Sequence, residues 1–178
     1  GAIAGPVAVG VVILPQNTPP SPTLELVHDS KLLSPRKRDQ LAPLIQQFSL
    51  NWAVGFSSAI EIDELGIVPA TRLAGLRAIE QISLSPDYLL TDFRFELPEL
   101  DIPQTSIVKG DQRSFSIACA SILAKTARDQ LMCELAIRFP HYKLDKHKGY
   151  GTQHHRRLIQ QFGQAEIHRK TFVFKRQD

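Results

Sequence analysis

The stretch "SIVKGDQRSFSIACAS", Ser106 to Ser121, decides how this chain is read. It passes from a β-like apolar run through Lys109, Gly110 and Asp111 into small apolar residues with the look of a buried helix. A strand that hands over to a core helix through a short polar turn is a unit of α/β architecture. In open α/β sheets, functional side chains gather beyond the strand ends. Lys-Gly-Asp at such an end is either a plain turn or a place where a carboxylate meets a metal ion or a phosphate.

The same alternation continues on both sides. "PVAVGVVIL", Pro6 to Leu14, is apolar on both pleat faces and predicts a strand covered on both sides. A helix is predicted to start with Ser34 as N-cap and Pro35 in its first position, with Leu41, Leu44, Ile45 and Phe48 along one face. Pro43 lies within that face and is expected to kink or shorten the helix. "LNWAVGFSS" from Leu50 reads as a strand, and Pro69 to Ile82 as a helix with Leu73, Leu76 and Ile79 inward. "DYLLTD" and "TSIVKGD" are two short strands, each ending in an aspartate, Asp92 and Asp111. Ser114 to Phe139 is helical, and its alanine- and serine-rich first half predicts close packing against a neighbour. "DKHKGYGTQHHRR" is a basic loop leading into a last helix, Thr152 to Phe162, and a basic tail follows. The expectation is a single α/β domain over residues 1–178.

At 178 residues the chain is long enough for a core without disulfide or metal staples. The net charge of +3 and pI near 9.0 permit a polyanionic partner without demanding one. Cys119 and Cys133 both fall in the helical apolar segment, which predicts reduced core thiols. No apolar run approaches the ~20 residues that span a bilayer, so a cytoplasmic protein with no membrane partner is expected. The start, "GAIAGPVAVGVVILP", reads as a buried strand and lacks the basic region of a signal peptide.

Asp92 and Asp111 carry the sharpest question. Two carboxylates on neighbouring strand ends repel one another, and a divalent cation would neutralise them. Strand-end aspartates are more often turn formers or helix caps, so spacing alone leaves both readings open. Lys31, Lys109, Lys146 and Lys148 lie in loops beside glycine or serine, placed to meet phosphate or simply to face solvent. Tyr150, between Gly149 and Gly151, can present its ring to a nucleotide or serve in packing. The histidines do not spell a zinc site: His154 and His155 are adjacent and face opposite sides of a helix, and no Cys-x-x-Cys accompanies them. His147 and His155 are expected to be hydrogen-bonded within loop and helix.

Taken in order, "HDSKLLSPRKRDQL", "EIDELGI", "IVKGD", "IACASILAKTARDQLM", "HKGYGT" and "IHRKTF" resemble ribonuclease HII, the type 2 ribonuclease H, over essentially the whole chain. The resemblance implies a ribonuclease H-like fold, a mixed five-stranded sheet flanked by helices. It implies endonucleolytic cleavage of RNA in RNA–DNA hybrids and at ribonucleotides embedded in duplex DNA, giving 3′-hydroxyl and 5′-phosphate ends. The implied cofactor is Mn²⁺ or Mg²⁺, held by four acids, of which the last two fall on Asp92 and Asp111. Gly110 would let the backbone turn Asp111 into the site. Substrate contacts would come from Gly1, Ser30, Lys31, Lys109, Lys148 and Tyr150, with Tyr150 at the RNA-to-DNA junction, and the protein is read as a monomer.

The chain departs from that pattern at its start. The family opens with Gly-x-Asp-Glu-x-Gly-Arg-Gly, and "GAIAGPV" matches only the tail, with Gly1 as its last glycine. The expectation is a chain truncated at its N-terminus, without the central strand and the first two acids, and inactive as it stands. The alternative is a short nucleic-acid-binding form without catalysis. Phe93 stands where many family members have glycine, which puts the turn after Asp92 in question.

Overall fold

The computed structural model describes residues 1–25, 27 and 33–172. Their contacts group them into two compact units. One contains Gly1–Val7, Ser57–Thr71 and the described residues from Arg128 onward; the other contains the described residues of Ala8–Phe56 together with Arg72–Ala127.

The larger unit holds the strands. β1 (Val7–Ile13) pairs with β2 (Asn51–Ser57), and β3 (Leu89–Asp92) pairs in parallel with β4 (Gln104–Ile107) in the register Asp92↔Ile107. Among the described residues the strands therefore form two pairs and not one sheet of five. β1 is half-buried along its whole length, so both faces are partly covered, short of the full cover expected of a strand apolar on both faces. No helix separates β3 from β4. The Gln104 side chain instead pins the return loop, accepting from the Leu97 N–H at 2.9 Å and donating to the Leu97 carbonyl at 2.7 Å.

Helix α1 (Pro22–Glu25) is one turn. α2 (Pro35–Phe48) begins as its sequence predicts, with the Ser34 hydroxyl accepting from the Lys37 N–H. The helix runs through Pro43 to Phe48. Pro43 and Asp39, whose carbonyl loses its helical donor, are both exposed, so water can take that bond. Leu44 is exposed, contrary to the expected stripe; Leu41, Ala42 and Ile45 are the buried face. They pack with Leu24, Val27, Ala118, Cys119, Ile122 and Leu123 as the core of this unit.

The long helix α6 (Phe115–Arg138) fulfils the close-packing expectation through β1. A side chain on Gly10 would fall 2.2 Å from the Ala120 carbonyl oxygen. α4 (Ile67–Glu80) approaches β2 in the same way, a Cβ on Gly55 falling 2.0 Å from the Ala74 carbonyl oxygen. Its most buried residues are Ala70, Ala74 and Ala78, whereas Leu73, Leu76 and Ile79 are half-buried. Leucine would hold the two backbones apart, so the alanines take the inner face. Pro69 is the third residue of α4, two later than a start at Pro69 would require.

The smaller unit includes α3 (Ala59–Leu65), capped by reciprocal bonds between Ser58 and Glu61. It also holds α7 (Leu144–His147) and α8 (Gln153–Phe162), the latter capped by Thr152. Ala4, Met132, Tyr142, Leu144 and Ile167 form its apolar core. Two buried arginines organise its strand-free segments. Arg128 donates to the carbonyls of Ala4, Pro6 and Lys148, and Arg169 to those of Ala2, Gly5 and Pro6. Asp63 on α3 accepts from the Lys170 and Thr171 amides and the Thr171 hydroxyl.

Both cysteines are free thiols. Only Cys119 is a core residue; Cys133 is exposed on α6, a correction to the expected pair of core thiols. Among the described residues, no helix is long and apolar enough to cross a membrane.

Candidate functional site

Asp92 is the last residue of β3, as its sequence predicts. Asp111 is not at a strand end. β4 stops at Ile107, and Asp111 lies in the first turn of a one-turn helix, α5 (Gly110–Arg113), where it is buried. The parallel register sets Asp92 level with Ile107, so its carboxylate meets the chain just past the turn. There Asp92 Oδ1 accepts from the Gly110 N–H at 2.8 Å. One peptide thus links the two aspartates: its amide holds the first, and the next residue is the second.

The turn is made differently from the expectation. Lys109 adopts the left-handed conformation, with φ 56°, and Gly110 does not. Gly110 is required for space. A Cβ there would lie 2.7 Å from Ile117 Cδ1 and 3.1 Å from Asp92 Oδ1. Lys109 is left exposed beside the two carboxylates. The turn after Asp92 also resolves. Phe93 is left-handed at φ 55° with its ring exposed, so it takes a conformation that favours glycine. Its amide donates to the Ile107 carbonyl at 2.8 Å, which explains why the strained conformer is held.

Hard carboxylate oxygens suit Mg²⁺ or Mn²⁺, and two aspartates joined through one peptide are a fitting part of such a donor set. No group of three or more His, Cys, Asp or Glu residues placed to hold a metal occurs among the described residues. Asp92 and Asp111 therefore fit as a partial ligand set, which a cation would complete with other carboxylates, phosphate oxygens or water.

The remaining predicted residues lie elsewhere. Ser30 and Lys31 are outside the described residues. Gly1, Lys148 and Tyr150 belong to the smaller unit and come together there. The Gly151 amide donates to the Gly1 carbonyl at 3.3 Å, and Ala2 forms a β-bridge with Tyr150. Tyr150 is 43% exposed, so its ring is presented outward, with the Arg128 guanidinium 5.7 Å from the ring centre. Gly149 precedes it at φ 79°, a conformation that glycine adopts without cost. The Lys148 ammonium is turned back onto the Asp145 carbonyl, and Lys146 pairs with Asp145 at 3.2 Å.

Beneath Tyr150 lie three buried histidines, His147, His155 and His168. His155 Nδ1 is 3.0 Å from the Tyr150 carbonyl, and its Nε2 is 3.2 Å from His168 Nε2. The His147 ring stacks on His155 with centres 4.1 Å apart. Burial lowers the pKa of all three, that of His155 to about 4, so the cluster is uncharged at neutral pH. Sequence reading anticipated the hydrogen bonds of His147 and His155 but not their meeting with His168. It also missed Arg128 and Arg169, although both lie inside motifs already quoted, "AKTARD" and "IHRKTF".

Comparison with known proteins adds a second line of observation. The sequence model of a family described as Ribonuclease HII matches residues 1–175. A ribonuclease HII of Dehalococcoides mccartyi is 48% identical over 173 residues, 97% of this chain and 81% of that protein. The enzyme of Caldicellulosiruptor saccharolyticus is 45% identical, over 97% and 82%. In structure, the ribonuclease H2 of Pyrococcus horikoshii is similar with a TM-score of 0.78 at 21% identity, over 97% of this chain and 89% of that one. The same score relates this chain to the RNase HII solved in complex with PCNA from Archaeoglobus fulgidus, at 21% identity over 100% and 93%.

Proposed function

The chain belongs to the ribonuclease HII family, and from that premise we propose that it cuts duplexes at ribonucleotides through divalent ions held by Asp92 and Asp111. Endonucleolytic action on the RNA strand of RNA–DNA hybrids comes with the family. The finer reading adds duplex DNA with single embedded ribonucleotides as substrate, and 3′-hydroxyl and 5′-phosphate products.

The observation that carries the metal role is the peptide link between the two aspartates. The Gly110 amide sets the rotation of the Asp92 carboxylate, so that acid is oriented before any ion arrives. Mn²⁺ or Mg²⁺, when bound, would supply Lewis acidity at the scissile phosphate and a more acidic attacking water. Lys109, exposed next to the pair, is positioned to meet the phosphate backbone. Tyr150 offers a ring and a hydroxyl to the sugar at an RNA–DNA junction, where a 2′-hydroxyl distinguishes RNA from DNA. Gly1, Ser30, Lys31 and Lys148 are assigned to the substrate side on the family resemblance alone.

Among the described residues no third carboxylate, histidine or cysteine joins Asp92 and Asp111 in a metal-holding group, and that observation favours a second reading, in which the chain binds nucleic acid without turnover. Two measurements on the purified chain test both. Manganese titration followed by electron paramagnetic resonance should show a site that weakens at least tenfold in Asp92→Asn and in Asp111→Asn. Unchanged binding in both variants removes the metal role. Incubation of the chain with Mn²⁺ and a ribonucleotide-containing duplex separates the two: nicking refutes the non-catalytic reading, and its absence with binding intact refutes cleavage by this chain. Binding to that duplex should weaken steeply with salt.

A further inference from the structure

We infer that His155 is the positioning residue for Tyr150, holding its backbone through an Nδ1–H tautomer that His168 enforces; this rests on Tyr150 being the residue that meets the nucleic acid. A carbonyl can only accept, so the 3.0 Å contact between His155 Nδ1 and the Tyr150 oxygen requires a proton on Nδ1. The neutral ring then has a bare Nε2, and the 3.2 Å contact with His168 Nε2 needs its proton from His168. His168 Nδ1 has two backbone neighbours, the Ala165 N–H at 2.9 Å and the Ala165 carbonyl oxygen at 3.2 Å. That oxygen already accepts from the His168 N–H at 3.0 Å, so the nearer Ala165 N–H is the partner that suits a bare Nδ1 and leaves the His168 proton on Nε2.

His147 completes the arrangement from the other side. Its Nε2 faces the Tyr142 carbonyl at 2.9 Å and must donate, which leaves Nδ1 to accept from the Gly149 N–H at 3.3 Å. The Tyr150 amide donates to the His147 carbonyl at 2.9 Å. The backbone on both sides of Tyr150 is thus tied to two stacked, uncharged imidazoles, while the Tyr150 ring stays exposed. None of these histidines reaches outward to touch substrate; all three are buried. Their reach is through the loop conformation alone.

The test uses the full chain and two substitutions. His155→Asn keeps a donor at the place of Nδ1, and His155→Phe keeps the ring shape without either nitrogen. Fluorescence anisotropy compares a duplex carrying one ribonucleotide with the same duplex in DNA. Loss of one buried hydrogen bond corresponds to roughly a five- to tenfold change. His155→Phe should lower the preference for the ribonucleotide by about that factor and leave all-DNA affinity unchanged, whereas His155→Asn should stay within about twofold of the parent. The Tyr150 amide should exchange with solvent faster in His155→Phe and not in His155→Asn. Nitrogen-15 imidazole spectra of the parent at pH 7 should show His155 protonated on Nδ1 and His168 on Nε2.

Equal behaviour of Asn and Phe variants in exchange and in preference, or a His155 protonated on Nε2, overturns the inference. Tyr150→Ala separates it from the reading beneath it. If that variant keeps the preference, Tyr150 is not the reader, and the exchange rates and spectra still judge the positioning. Should His155→Phe fail to fold, the parent spectra and the Asn variant decide.

Discussion

Acidification from pH 7 to pH 4 should weaken the fold chiefly through the buried histidines, and His155 allows the size to be worked out. Desolvation holds its pKa at about 4, against 6.5 for a free imidazole, with the neighbouring His147, His168 and Arg156 lowering it further and the bond to the Tyr150 carbonyl opposing them. The unfolded chain therefore takes up a proton near pH 6.5 that the folded chain refuses until about pH 4. Above pH 6.5 the two states carry the same charge at this ring, and no penalty exists. Below it, stability falls with decreasing pH, and the loss levels off once the folded ring titrates. The interval is about 2.5 pH units at 1.36 kcal/mol each, so His155 alone accounts for about 3 kcal/mol. His147 and His168, also lowered mainly by burial, act in the same direction. Against a typical stability of roughly 5–15 kcal/mol that is a large fraction.

The assay is urea unfolding followed by circular dichroism at several pH values between 7 and 4, for the parent and for His155→Phe. The parent should lose stability throughout this range. The variant should lose less, its slope being shallower by up to about 1.4 kcal/mol per pH unit, one proton's worth. Asp63 does not confuse the comparison. Burial tends to raise the Asp63 pKa, but the bonds from Thr171 and Lys170 outweigh it and leave the carboxyl below 3.8. Its contribution is present above 3.8 and is lost only as pH falls further, below the histidine window. Parallel curves for parent and variant would refute the argument that His155 is buried uncharged.

Three further outcomes follow from single contacts. Gly10→Ala places a methyl 2.2 Å from the Ala120 carbonyl oxygen, a backbone atom that cannot swing away, and should destabilise by about 1–3 kcal/mol in urea unfolding. Phe93→Gly should be more stable than Phe93→Ala by about 1 kcal/mol, because the φ of 55° strains any residue with a Cβ; equal midpoints would mean that the turn relaxes. Asp63→Ala removes the acceptor for three donors on Lys170 and Thr171, and should cost about 1–3 kcal/mol and speed exchange of both amides.

Where the sequence was legible, the signal was local. The Ser34-Pro35 start of α2, the last helix near Thr152 to Phe162 and the long helix near Ser114 to Phe139 rest on signals within a few turns of chain, and each formed. α3 carried an equally local signature, Ser58 with Glu61 three residues on, but only seven helical residues follow it, too few for an apolar period to stand out. Asp92 was legible as the end of a short strand, whereas Asp111 lies beyond the end of β4, in α5; the parallel register that sets Asp92 beside the Lys-Gly-Asp turn is a tertiary fact without a local signal. The mechanism of that turn was not legible, because nothing in Lys109-Gly110 says which residue goes left-handed and which is short of room.

The buried cations were illegible because their partners are remote. Arg128 meets carbonyls more than a hundred residues earlier in the chain, and an arginine in a helix is read by default as a solvated face. Here both guanidiniums donate to backbone carbonyls, which carry no sequence signal at all. Burial and the neighbouring Arg128 lower Arg169, but only to about 10. Both groups therefore stay charged across the whole acid range in which the histidines change. The segment that precedes Val7 remains clamped by fixed charges, while the backbone around Tyr150 hangs on imidazoles that titrate. Acid should accordingly loosen the amides at Gly149 and Tyr150 before that at Gly5, which donates to the Ile167 carbonyl, an order that hydrogen exchange can read and that a uniform loss of packing would not produce.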